Sequence, residues 1–206
     1  MSETREAAHA VLDEALVAHV AFALGDRPVC LPMVYARADN ALWLHAARGG
    51  RFFRALAGGL PVTVAVTLLD GLVLAKSGLK HSVNFRSVVV TGTSRAEEDG
   101  HVKADMLDRI VDHVMPGRSA DCRAANRKEL ASTGVIAVSM DEVSFKRRSG
   151  PPKDLEGDRG LPHWAGVVPL HQVVGEAVPA PYGAAASLPP YLATDPQRTA
   201  STQGRS

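Results

Sequence analysis

The 206-residue sequence predicts a mainly β domain with helices: a β-barrel of six or more mostly antiparallel strands, with short helices at its periphery. Three observations carry this. Short apolar segments alternate at a period of two. Turn residues separate them at short intervals. Only brief stretches show helical spacing.

In chain order, residues 6–17 place Ala7, Val11, Leu12 and Ala15 at helical spacing, with Glu and Arg on other faces. His19 to Leu24 reads as a strand, closed by Gly25-Asp26-Arg27-Pro28 and followed by a second strand through Val34. A turn at Ala38-Asp39-Asn40 leads into the strand 41–45, so the chain opens as a β-meander. Gly49 to Leu56 reads as a short helix stopped by Gly58-Gly59. Pro61 to Leu69 alternates cleanly, and a separate strand is expected over Gly71 to Ser77. The longest strand is expected over Asn84 to Ala96, with Arg86, Val88 and Val90 on one face and Ser87, Val89 and Thr91 on the other. A helix over His101 to Val114 has Val102, Met106, Ile110 and Val114 as its apolar stripe, and a second short helix covers Arg123 to Ser132. Strands return over Val135 to Met140 and Val143 to Arg147. The expected folded domain is 1–178. From 179 to 206 the composition turns to Pro, Ala, Ser and Thr, which reads as a tail, flexible or docked on the barrel or on a partner subunit.

Bulk composition narrows the function classes. Hydrophobic residues make up 46% and charged residues 22%, as in ordinary globular proteins. A formal charge of +1 offers no electrostatic reason to expect a nucleic-acid partner. No apolar run approaches the length of a membrane-spanning helix, and the N-terminus does not read as a secretory signal. The two cysteines, Cys30 and Cys122, lack metal-ligand spacing and read as reduced thiols, so a cytoplasmic location and no metal are expected.

Three stretches carry chemistry. In the first, Leu44-His45-Ala46-Ala47-Arg48-Gly49-Gly50-Arg51, a strand ends, two glycines follow and a helix begins. It reads either as an anion cradle with Arg51 gripping phosphate or as a plain turn. The second, Lys80 to Ser87, gathers cations, hydroxyls and the Asn84 amide at the start of the longest strand. It reads either as a polar contact for phosphate and a ring edge or as a solvated strand edge, with His81 at the surface. The third runs from Lys146 through a Gly- and Pro-rich loop to Trp164-Ala165-Gly166. There the indole is either a lid on a planar ligand or a plug in the barrel.

Taken together and in order, these stretches resemble the flavin-binding branch of the pyridoxamine 5'-phosphate oxidase-like superfamily, the branch similar to the nitroimidazole-resistance flavoproteins. The matching residues are Arg27-Pro28 with 31–35, Leu42 to His45, His81 to Gly92, His113 with Pro116-Gly117-Arg118, Arg123, Glu129-Leu130 with Thr133, Lys146 with Arg148, and Trp164 to Leu170. They span about residues 10 to 170. The resemblance implies an FMN-binding split β-barrel, a homodimer with the cofactor at its interface, and a small-molecule substrate. It implies cofactor contacts from His45, Arg51, Ser82, Asn84, Arg86, Ser87 and Trp164, with Arg51 and Arg86 at the phosphate. Ser87 stands where true pyridoxamine-phosphate oxidases carry glutamine, and no paired arginines follow Trp164. Both departures argue against vitamin B6 oxidation. The implied activity is an FMN-dependent oxidoreductase acting on a nitro compound or quinone. The alternatives are a haem-binding barrel with His45 or His81 as axial ligand, a flavin module without turnover, and a deazaflavin coenzyme in place of FMN. No residue is compelled to act as a catalytic acid or base.

Overall fold

Turn chemistry sets the first third of the chain. Gly25 adopts φ 60°, which a side chain disfavours, and it closes a two-residue hairpin between β1 (Val17–Leu24) and β2 (Arg27–Val34). Pro28 and Pro32 lack an N–H for a second ladder, so β2 pairs only with β1 and forms an edge. The computed structural model describes residues 3–183 and 187–192. The remaining elements are α1 (Glu3–Glu14), β3 (Ala36–Ala38), β4 (Ala41–Ala47), α2 (Arg51–Ala57), β5 (Pro61–Leu74), β6 (Ser82–Glu97), α3 (Gly100–Val114), α4 (Arg127–Ser132), β7 (Thr133–Ser139), β8 (Glu142–Arg148) and β9 (Gly166–Pro169).

The chain falls into two compact units. The first comprises Met1–Leu69 and Asn84–Ser149 and contains β1 to β4, α1 to α4, β7 and β8 with most of β5 and β6. Strand order runs β2-β1-β5-β6-β7-β4-β3, with β8 also on β6, and the sheet is not closed. The split lies within β6. Its segment Phe85–Thr91 pairs antiparallel with β8, whereas Ser94–Glu97 pairs antiparallel with β7. Gly92 sits at the change of partner, where a Cβ would stand 1.8 Å from the Ser139 carbonyl oxygen. Only glycine allows that approach. This is the mainly β split barrel the sequence predicts.

Inward residues of β1, β5 and β6 (Val20, Phe22, Val64, Val66, Val88, Val90) pack with Leu12, Leu42 and Leu44 into the main core. A second cluster on the opposite face of β4 joins Trp43, Val135 and Ala137 to Met106 of α3. Tyr35, between β2 and β3, is fully buried and donates from its hydroxyl to the Leu12 carbonyl at 2.6 Å, tying that junction to α1.

The second unit comprises the described residues of Asp70–Val83 and Gly150–Ser206. In it the end of β5 (Gly71–Leu74) pairs antiparallel with β9. Lys76 anchors the 150–165 loop: its N–H donates to Asp154 at 2.9 Å, and its ammonium donates to the Arg159 and Leu161 carbonyls at 2.7 and 2.6 Å. Of the proposed 179–206 tail, residues 184–186 and 193–206 lie outside the described residues; Tyr182 is exposed and Tyr191 and Leu192 are half-buried.

Four expectations are corrected. The first helix spans 3–14 rather than 6–17 and buries Ala8 in place of Ala7, because Val17 is drawn into pairing with Val34. The two strands expected over 61–69 and 71–77 are one, β5. Gly71 interrupts nothing; a Cβ there would meet Val167 Cγ1 at 3.1 Å, so it clears space for β9. That strand, β9, lies in a segment read as loop. Finally, α3 buries Met106 and Ile110 of the expected stripe but Lys103 in place of Val102, and leaves Val114 exposed. Residues four apart advance about 400° around a helix. Val102 and Val114 therefore drift away from the buried axis, and both are exposed.

Candidate functional site

The site begins with how α2 is held. The turn after β4 is pinned by Gly50 N–H donating to Ala47 O at 2.8 Å and Arg48 N–H donating to Ser132 O at 2.9 Å. Phe53 lies against Gly134, where a Cβ would stand 2.1 Å from its ring. Ser94, almost fully buried, donates from Oγ to Leu56 O at 2.7 Å and accepts from Leu60 N–H at 3.0 Å. These contacts orient the first turn of α2, so Arg51 and Phe52 face the β1–β2 hairpin. Phe52 meets Phe22 edge-to-face, with centroids 5.7 Å apart.

Between the hairpin and α2 lies a groove of about 370 Å³. Phe22, Leu24, Val29 and Leu31 from the inward face of the hairpin line it, Phe52 closes one side, and Arg27 and Arg51 supply its cations. No carboxylate and no histidine is in its lining. Several guanidiniums elsewhere in this unit pair with carboxylates: Arg37 with Asp13 at 2.7 Å, Arg48 with Glu98 at 2.7 Å and Arg86 with Glu14 at 2.5 Å. Arg27 and Arg51 bond no carboxylate among the described residues. An apolar, aromatic-walled groove with two uncompensated guanidiniums suits a planar ligand that carries an anionic group.

The other predicted site residues lie elsewhere. Asn84 is buried and accepts from Arg148 at 2.6 Å. Arg86 shares the inward face with Asn84 and donates to both Glu14 oxygens, at 2.5 and 2.8 Å, so its fork pairs within the fold. Ser87 faces the opposite side, and its hydroxyl lies 3.5 Å from the Lys146 carbonyl. His45 is on β4 opposite Val135, on the Trp43 side. Its Nδ1 is buried without a hydrogen-bond partner, and burial pushes its pKa down, so the ring is neutral at pH 7. Ser82 and Trp164 belong to the second unit. Trp164 is 65% exposed with its ring against Gly166, so it is no core plug. His81 is exposed, with Nδ1 3.1 Å from the Ser77 carbonyl. Sequence reasoning missed Arg27. Its one available signal was the alternation Arg27, Val29, Leu31, which puts a cation in register with two inward apolar residues.

The open sheet that divides at β6, with a groove beside its first hairpin, defines a split-barrel protein. The chain belongs to the pyridoxamine 5'-phosphate oxidase family, whose model matches residues 4–147. Among solved structures it is similar to an FAD- and haem-binding protein from Mycobacterium smegmatis, at 37% identity and TM-score 0.85 over 93% of each chain. It is also similar to the flavocytochrome Anf3 from Azotobacter vinelandii, at 35% identity and TM-score 0.85, over 91% of this chain and 88% of that one. A candidate 5-nitroimidazole antibiotic resistance protein from Bacteroides thetaiotaomicron shares the fold at 20% identity and TM-score 0.57, over 70% of this chain and 84% of that one. No curated protein matches the chain. Among the described residues, no helix is long and apolar enough to cross a membrane, and no cluster of three or more metal-ligating side chains occurs.

Proposed function

We propose that the chain is a flavin-binding oxidoreductase that holds its cofactor in the hairpin–α2 groove and reduces a small organic acceptor such as a nitro compound or quinone. The observation that carries this reading is the pair of free guanidiniums beside an aromatic, carboxylate-free groove. The two relatives at 35–37% identity, one named for FAD and haem and one a flavocytochrome, support it. The flavin would supply the electron-transfer chemistry. The chain's own residues would bind and orient it: Arg51 at a phosphate, and Phe22, Val29 and Phe52 as the apolar surround that excludes water. No groove residue is an acid or base near neutral pH, so proton delivery falls to solvent or substrate. His45, Ser82, Asn84, Ser87 and Trp164 remain proposed contacts to the rest of the cofactor or to a second chain's cofactor.

A homodimer belongs to the same reading, because Leu24 and Leu31 are 41% and 37% exposed on the edge hairpin that lines the groove. Soluble proteins rarely leave such an edge open. Haem is the second reading, favoured by the same relatives. The groove lacks a histidine, so haem does not fit there; the unpartnered Nδ1 of His45 makes that residue the candidate ligand.

Size exclusion with light scattering and an absorbance spectrum of the eluting peak tests all three parts. A dimer with flavin bands, whose released cofactor chromatographs as FMN or FAD rather than a deazaflavin, is the expected result. A colourless monomer that binds no added flavin overturns the proposal. A Soret band lost in His45→Ala assigns the haem.

A further inference from the structure

We propose that residues 171–182 form an arm that docks on the apolar face of the β5–β9 ribbon of a second copy of this chain, so that two chains exchange arms. The inference goes beyond the flavin reading and does not rest on it; it adds a separate contact to the dimer proposed at the hairpin.

In the second unit Leu72 of β5 stands opposite Val168 of β9, so their side chains share a face. Gly166, two residues before Val168, directs its missing Cβ to that same face, and the Trp164 ring lies there, 2.8 Å from where the Cβ would stand. The other face carries Val73, which is fully buried, and Val167. A ribbon buried on one face ordinarily turns polar residues to water on the other. This one turns Leu72, Val168 and Trp164 outward, all exposed. The arm follows directly. His171 to Pro179 are exposed without exception, have no regular structure and make no hydrogen bond among the described residues. Val173, Val174 and Val178 stand open along it, and Val178 and Tyr182 are 90% and 94% exposed. The apolar surface of ribbon and arm together is on the order of the 800 Å² per partner that a stable interface buries, and open patches of that size mark interaction surfaces. Residues 184–186 and 193–206 contain no Val, Leu, Ile, Met or aromatic residue, so the C-terminal remainder brings nothing large and apolar to cover it. One chain thus carries both halves of a contact, an apolar face and an apolar arm, and leaves both open. Two copies related by a twofold axis cover both at once, each arm on the other's ribbon.

Sedimentation velocity of the purified full chain, from nanomolar to micromolar concentration, reads the dimer Kd, with circular dichroism confirming folding. The variants are Val178→Asp and Tyr182→Ser on the arm, and Leu72→Thr and Val168→Thr on the ribbon, where Thr keeps the strand preference. Each is expected to raise the Kd about tenfold or more, since a buried apolar side chain is lost twice in a twofold dimer. Val178→Asp combined with Val168→Thr is expected to raise it by less than the product of the single effects, because both act through one contact. A Kd within about threefold of wild type in the arm variants overturns the arm, while a dimer held at the hairpin survives that result. Fully multiplicative effects of arm and ribbon overturn their pairing. A wild type that stays monomeric at micromolar concentration overturns the arm and the hairpin dimer together, and flavin titration of the same sample decides the flavin reading separately.

Discussion

The two sides of the first unit treat the same residue types in opposite ways. Around β6, β7 and α2 every approach is tight: Gly92 meets the Ser139 carbonyl, Gly134 meets Phe53, and Ser94 bridges Leu56 and Leu60. Two guanidiniums nearby are neutralised, Arg48 by Glu98 and Arg86 by Glu14. At the β1–β2 hairpin, apolar side chains are left half open and two guanidiniums stand free of carboxylates. Arg48 and Arg86 tie elements of the fold together through a carboxylate, whereas the two arginines of the groove lining have no carboxylate partner among the described residues.

The largest expected effect comes from breaking the tight side. Gly92→Ala and Gly134→Ala each force a methyl into occupied space and are expected to cost about 3 kcal/mol in denaturant unfolding. Loss of flavin binding by the fraction that still folds would show that the two sides are energetically coupled rather than separate.

Smaller, and aimed at the contrast itself, is a pair of arginine variants. Arg51→Ala is expected to weaken flavin binding about 10- to 100-fold with apo stability unchanged, since each charge-assisted hydrogen bond contributes about 1.5–3 kcal/mol. Arg86→Ala is expected to do the reverse: about 1 kcal/mol less stable through the lost Glu14 pair, with affinity retained. Titration and unfolding on both variants check this, and an affinity loss in Arg86→Ala would restore that residue to the phosphate.

The smallest effect is a pH response at the rim of the tight side. Glu129 is held down to about 2 by the Arg123 guanidinium and by the Asn126 N–H of its capping box. A carboxyl depressed on folding stabilises fully above its ordinary 4.5 and loses that contribution as pH falls toward 2. Fraying of α4 should therefore appear below pH 4.5 by hydrogen exchange, and Glu129→Gln should show it already at neutral pH.

Periodicity and turn chemistry are local properties, so the sequence by itself determined nearly every strand and helix, the Gly25 hairpin, the mainly β class and the family resemblance. It also singled out Arg51. Three things came only from the tertiary structure. Gly71, a break when read locally, is clearance for β9, because the chain that crowds it lies about 95 residues on. Lys103 rather than Val102 faces inward because the carbonyl of Leu130, on another helix, accepts its ammonium at 2.8 Å. Read locally, Arg86 is a cation within the longest strand and Arg27 a cation in a turn. Glu14, 72 residues before Arg86, occupies one, and no described carboxylate occupies the other. Charge neutralisation is a property of who stands beside whom in space, and sequence spacing carries no record of it.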